Sequence, residues 1–411
     1  MQNGFDTYFA RYEVFPQRLD EPVNPNLGMI VAIPCYNEPD IMKTICSLLE
    51  CDAPQCAVEI IVVVNYSETA DEMIKQFNKQ TYAGLKKFAE EQNTQTIKIL
   101  PILASDLPQK QAGVGLGRKI AMDEAMRRFA AINNPDGIVI SCDADTLVEK
   151  NYFCAIEQFY AEHQAAAVAN LYFEHDISGN FPDEQYNAIA QYELHLRYYV
   201  AQLKRISFPY AFQTVGSCFT VKAKRYCLQG GMNKRQAGED FYFLQKVAQS
   251  EPVYEIRTTC VHPSSRISDR VPFGTGPVLH KMLDDGNTMF VTFAPEGFAV
   301  LGALFSRIDQ FRIADELQLE QLYAGLDSTM QECVNVDEFK SKIIEIQNNT
   351  STINQFRKRF YAWFNGFLVF RYLNTSSQSK FPKVPVVEAV SHFLGEKADV
   401  FELLKKMRKE Y

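Results

Sequence analysis

Four short apolar runs recur along the first third of the chain: MIVAIP (29–34), EIIVVV (59–64), TIKILPIL (96–103) and GIVIS (137–141). Each is rich in branched residues and gives way to polar or turn-forming ones, the pattern of a strand. A run as continuously apolar as EIIVVV is the kind buried on both faces of a parallel sheet. Between the runs lie helical stretches: Ile41 to Glu50, with Ile41, Ile45, Leu48 and Leu49 on one face, then 69–92, 118–131 and 150–162. This alternation predicts a parallel, doubly wound α/β sheet. Ligands of such sheets bind beyond the C-terminal ends of the strands. Asn37 and Glu38 follow the first run, Asn65 and Ser67 the second, and Asp143 and Asp145 the fourth.

The alternation weakens after residue 163. AAAVANLYFEHD (165–176) reads as a strand, 184–206 as a long tyrosine-rich helix, and QTVGSCFTVKAKRY (213–226) as a strand broken at Gly216. GEDFYFLQKVAQS (238–250) opens a helix and VYEIRTTCV (253–261) is a strand. Beyond about residue 281 the chain is mainly helical, with a loop expected at Ser376 to Ser379. The organisation is thus an extension (1–28), an α/β body (29–280) and a helical region (281–411). A length of 411 residues suits two or three domains at roughly 150 residues each.

The net charge of −8 opposes broad nucleic-acid binding, which needs a basic surface, but not a nucleotide as a small ligand. No signal peptide and no apolar run of about 18 residues is apparent, so a cytoplasmic protein is expected. Cys46, Cys51 and Cys56 match no common zinc spacing, and the ten cysteines read as reduced thiols.

Asp143 and Asp145 could hold a divalent metal, cap the next helix, or solvate a turn. Alternate residues of an extended chain point to opposite sides, so both cannot chelate one ion unless the strand bends. Glu239 and Asp240 fall at a helix start, where the dipole favours negative charge; either a simple charge pair or a general base fits. His262 ends a strand and could ligate a metal or be structural. The loop after it carries Arg266 and Arg270, whose paired donors suit phosphates, or solvent. In GVGLGRK (113–119) the glycine spacing is neither a Rossmann fingerprint nor a P-loop, though Arg118 or Lys119 could meet a phosphate.

Taken in order, IPCYNE, VVVNYSE, GVGLGRKIAMDEA, SCDADT and VGSCFTVKAKRYCLQGGMNKRQAGEDF resemble the family 2 glycosyltransferases of the GT-A fold, over roughly residues 29–265. The resemblance implies a Rossmann-like, nucleotide-diphospho-sugar transferase fold: a mixed, mostly parallel sheet flanked by helices, followed here by a helical C-terminal region. It implies a nucleotide pocket lined by Pro34, Asn37 and Glu38. Asn65 stands where many members carry an Asp that contacts the base. By the same resemblance Asp143 approaches the ribose and Asp145 binds Mn2+ or Mg2+ at the diphosphate, with His262 as a further metal ligand. Asp240 matches the catalytic base of inverting members, with Glu239 beside it. Arg118, Arg266 and Arg270 are donor-binding candidates. The expected reaction moves a sugar from a nucleotide-sugar donor, UDP-linked by preference, to a glycan or lipid-linked acceptor.

The alternatives are a nucleotidyltransferase acting on sugar phosphates and a non-catalytic nucleotide-binding relative. PCYNEPD after the first strand lacks the Gly-rich, Arg-containing loop of the former. FRKRFYAWFNGFLVFRYL (356–373), aromatic and basic, either rests on a membrane surface as a peripheral contact or packs as a core helix.

Overall fold

The computed structural model describes residues 4–13, 15–110, 112–233, 238–267, 275–284 and 289–411. The chain divides into two compact units, Met1–Phe181 with Thr214–Lys281, and Pro182–Gln213 with Met282–Tyr411.

The first unit opens with α1 (Phe5–Tyr12), β1 (Leu27–Cys35), α2 (Ile41–Leu49), β2 (Ala57–Ser67), α3 (Glu72–Gln92), β3 (Ile97–Leu107) and α4 (Val114–Ala131). It continues through β4 (Ile138–Ser141), β5 (Leu147–Val148), α5 (Tyr152–Glu162) and β6 (Val168–Phe173). The chain then enters the second unit as α6 (Asp183–Arg205) and returns as β7 (Phe219–Lys222), α7 (Ala223–Leu228), α8 (Glu239–Ala248) and β8 (Val253–His262).

These strands form one eight-stranded sheet in the order β3-β2-β1-β4-β7-β6-β8-β5. β3, β2, β1 and β4 run parallel, so the loops after β1, β2 and β4 share one edge. The sheet is mixed rather than parallel throughout. β7 runs antiparallel to both β4 and β6, which sets Phe219 beside Ser141 and brings the segment before β7 to that same edge.

β1 and β2 are buried along almost their whole length, as their apolar runs require. The exception in sequence, Glu59, is 1% exposed and is held by the Arg128 guanidinium of α4, with Nη2 2.6 Å from Oε1. A buried carboxylate needs such a partner. α4 lies against β1 and β2 and is buried on nearly all sides.

Several local expectations are corrected. The strand expected across 213–226 is only Phe219–Lys222, because AKRYCL, mostly good helix formers, turns into α7. The gap between the third apolar run and the helix predicted from 118 is short, with β3 reaching Leu107 and α4 beginning at Val114. Ser376 to Gln378 close a helix (Gly366–Gln378) instead of forming a loop. Just before α2, the Asp40 carboxylate meets Lys43 and Arg266 rather than the first turn of the helix.

In the second unit α6 contributes core. Tyr198 is buried, with ring centroids 5.9 Å from Phe298 and 6.0 Å from Phe393. Glu193 of α6, fully buried, is shared by Arg197 and by a bidentate Arg408 at 2.8 Å. The aromatic-basic segment splits at Asn365 into two helices, Ile353–Trp363 and Gly366–Gln378. Phe356 and Phe360 are buried, and Arg357 on the outer face forks onto Asp309. Among the described residues no helix is long and apolar enough to cross a membrane. All ten cysteines carry free thiols.

Candidate active site

The shared edge of the sheet gathers most of the polar residues singled out from sequence. After β1 the chain turns through Asn37, whose φ of 47° lies in the left-handed region that Asn tolerates better than most residues. The turn is pinned from α3: the Asn37 amide donates to Asn78 Oδ1 at 3.0 Å, and Asn78 is itself fully buried. Glu38 then points inward, 1% exposed. Its Oε1 accepts the Asp40 amide at 2.7 Å, and both of its oxygens accept from Arg266 Nη2 at 2.8 Å. Arg266 also donates to Asp40 Oδ2 at 3.2 Å and lies 3.9 Å from Asp145 Oδ2. One guanidinium thus joins the loop after β1 to the segment after β4. Arg270 lies outside the described residues.

Beside this, Pro34 and Asn65 converge on α4. A β-carbon at Gly117 would sit 2.5 Å from Asn65 Oδ1 and 3.2 Å from the Pro34 Cβ, so only glycine lets α4 come this close. Asn65 is 1% exposed; its Nδ2 donates to the Gly113 carbonyl at 3.4 Å, while its Oδ1 is buried and, among the described residues, has no hydrogen-bond partner. An unmet buried acceptor costs roughly 1–3 kcal/mol, which an N–H donor of a ligand would recover.

The two aspartates after β4 face different partners. The Cys142 amide still pairs with the Ala32 carbonyl of β1 at 3.2 Å, so the chain remains extended past Ser141. Asp143 meets Arg118 Nη2 at 2.7 Å, whereas Asp145 faces Arg266. Between them the Ala144 carbonyl accepts from Thr44 Oγ1 of α2 at 3.0 Å, which holds the spacer in place.

Arg118, at the start of α4, is 2% exposed and turned into the protein. Nε donates to Glu239 Oε1 at 2.9 Å, Nη1 to Ser141 Oγ at 2.6 Å and to the Gly216 carbonyl at 3.2 Å, and Nη2 to Asp143. Burial would lower its pKa, but Asp143, Glu239 and Asp240 outweigh that and raise it. Glu239 is buried at the start of α8. Asp240 beside it accepts the Phe241 amide at 2.7 Å. Burial, and next the Glu239 charge, push the Asp240 carboxyl up to about 7, against the lowering effect of Arg118. A carboxyl ionising near neutrality is matched to taking a proton from a hydroxyl.

His262 ends β8 opposite Leu147. Its Nδ1 lies 3.6 Å from Asp176 Oδ1 and its Nε2 3.9 Å from Glu149 Oε1. The nearby Asp176, then Cys260, raise its pKa to about 10, against the lowering effect of burial. Among the described residues no group of three or more His, Cys, Asp or Glu side chains is gathered to hold a metal ion. What the site does offer a hard cation is the Asp145 carboxylate, about a quarter exposed. Mg2+ and Mn2+ take such oxygen ligands, often one or two carboxylates completed by substrate phosphates and water. The donor set therefore fits a cation that arrives with a phosphate ligand.

Three residues that position the site carried no sequence signal that singled them out, Thr44, Asn78 and Ser141, and Gly216 was read only as a strand break. A polar residue in an amphipathic helix reads as solvent-facing until the fold shows what it reaches.

No family model and no curated protein matches the sequence. Solved structures are similar to it at low identity. One is S. aureus TarS 1–349 in complex with UDP-GlcNAc, at 13% identity over 82% of this chain and 91% of that one, with a TM-score of 0.42. Another is the mannosyltransferase PcManGT from Pyrobaculum calidifontis in complex with GDP-Man and Mn2+, at 12% identity over 92% and 96%, with a TM-score of 0.39. A third is GalNAc-T7 with UDP, GalNAc and Mn2+, at 12% identity over 64% and 48%, with a TM-score of 0.35.

Proposed function

We propose that this chain is a GT-A glycosyltransferase that moves a sugar from a nucleotide-sugar donor to an acceptor hydroxyl with inversion. The observation that carries the reading is the junction at Arg118. It joins Asp143, from the segment expected to meet the donor, to Glu239, next to the near-neutral carboxyl of Asp240. Donor-side and base-side groups then share one edge of the sheet, as a displacement at an anomeric carbon needs.

In this reading the unmet Oδ1 of Asn65 accepts an N–H of the nucleobase, within the pocket formed with Pro34, Asn37 and Glu38. Uracil, with an N–H between two carbonyls, suits a carboxamide that can both donate and accept. Asp143 hydrogen-bonds the ribose. Arg266 faces the diphosphate; to do so it shares donors now given to Glu38 and Asp40. Asp145 would hold a divalent cation together with the donor's phosphates, and that cation would neutralise charge on the departing diphosphate. Asp240 takes the acceptor proton as the hydroxyl oxygen attacks from the face opposite the nucleotide. A single base and one displacement give inversion.

The direct test is incubation with a panel of UDP- and GDP-sugars, following nucleoside diphosphate release with and without candidate acceptors. Release that is lost in Asp240→Asn supports the reading. Pyrophosphate release from a nucleoside triphosphate and sugar phosphate would replace it with nucleotidyl transfer.

A further inference from the structure

The sequence placed Arg118 among the groups that could meet a donor phosphate; its buried side chain has other work. The guanidinium has four acceptors from three separate pieces of chain: Ser141 and Asp143 at the end of β4, the Gly216 carbonyl before β7, and Glu239 at the start of α8. Ser141 Oγ also donates to the Gly216 carbonyl at 2.6 Å, which closes the network. We propose that Arg118 is a positioning residue, whose fork fixes the helix start bearing Asp240 against the segment bearing Asp143 and so sets where the base stands relative to the donor.

The inference rests on the reading of Asp240 as the base. Gly216 shows how tight the arrangement is. A β-carbon there would lie 3.0 Å from Arg118 Nη2 and 3.1 Å from Asp240 Oδ2, so the guanidinium and the base flank one α-carbon. A methyl group there would press both side-chain ends aside by a few tenths of an ångström. Lysine could restore the charge but not the fork, because a point ammonium cannot serve acceptors spread over three segments at fixed angles. Among the described residues the charged groups that act on Asp240 are Glu239 on its own helix, Arg118 from α4 and Asp143 after β4. Removing Arg118 removes the cation that opposes two carboxylates.

The experiment has two arms. The first does not need turnover: the protein is labelled with carboxyl-13C aspartate, and the Asp240 signal, assigned through Asp240→Asn, is titrated by NMR. In Arg118→Gln the midpoint moves up by about one pH unit or more; an unmoved midpoint overturns the inference. The second arm is kinetic. Arg118→Lys and Gly216→Ala should each lower kcat by about 10-fold or more while the donor KM changes by less than about 3-fold. A loss confined to donor KM would return Arg118 to phosphate binding and overturn the positioning role. Gly216→Ala keeps every member of the network, so it reads the geometry even if Arg118 variants fold poorly. If the unmodified protein transfers no sugar while its Asp240 signal still responds to Arg118→Gln, the proposed function fails and the coupling stands.

Discussion

At the scale of single residues, Asp240 and Asn65 carry the account. The Asp240 pKa stands at about 7, above the ordinary 3.8 of an aspartate. The sign is clear: a raised acid pKa contributes stability that is full below about 3.8 and lost as pH rises through about 7. On the proposed reading Asp240 acts as the base only once ionised, so kcat/KM should rise with pH and level off above about 7. Asp240→Asn should therefore lose about 100-fold or more of the transfer rate while unfolding at a higher temperature than the unmodified protein at pH 8. A variant that is inactive and less stable at pH 8 would point to a structural role. Asn65 makes a second prediction. UDP present at 100 times its Kd should stabilise the protein by about 2.7 kcal/mol. In Asn65→Leu, without the carboxamide, the thermal shift at the same UDP concentration should fall to less than half.

At the scale of elements, the N-terminal helix shows how a short extension is tied in. Tyr8 of α1 donates to Asp123 Oδ1 at 2.6 Å, Lys119 Nζ lies 3.0 Å from the Tyr8 oxygen, and Tyr226 of α7 donates to the same Asp123 oxygen at 3.1 Å. All four groups are buried. Tyr8→Phe should cost about 1–3 kcal/mol by urea denaturation, because it removes a donor from a buried carboxylate. This helix was not legible in the sequence: its one buried tyrosine finds its partners more than a hundred residues away. The central strands were legible, because burial on both faces demands unbroken apolar runs such as EIIVVV. The antiparallel β7 was not, since FTVK is only four residues long and its direction is set by neighbours. The same contrast holds in the site. The order of Asn37, Glu38, Asp143, Asp145, Glu239 and Asp240 pointed to one edge of a sheet. That Asp143 would turn to Arg118 and Asp145 to Arg266 depended on side chains brought from α4 and from beyond β8. His262 shows the limit of spacing: a strand end places a histidine without saying what it meets, and its ring lies near Asp176 and Glu149.

At the scale of the whole molecule, the parallel half of the sheet supplies the loops bearing Glu38 and Asp145, and the antiparallel β7 brings Gly216 to the same edge. Because β7 runs against β4, Gly216 just before it reaches the edge where β4 ends. A sheet parallel throughout would carry the chain before β7 to the opposite edge. The mixed topology is therefore what lets one guanidinium bond to both Asp143 and the Gly216 carbonyl. The measurement that tests this account most directly is nucleoside diphosphate release from a panel of UDP- and GDP-sugars with Mn2+ present. The account predicts release from at least one donor, accelerated by an acceptor and rising with pH up to about 7. Nucleotide binding without release from any donor or acceptor pair would contradict it.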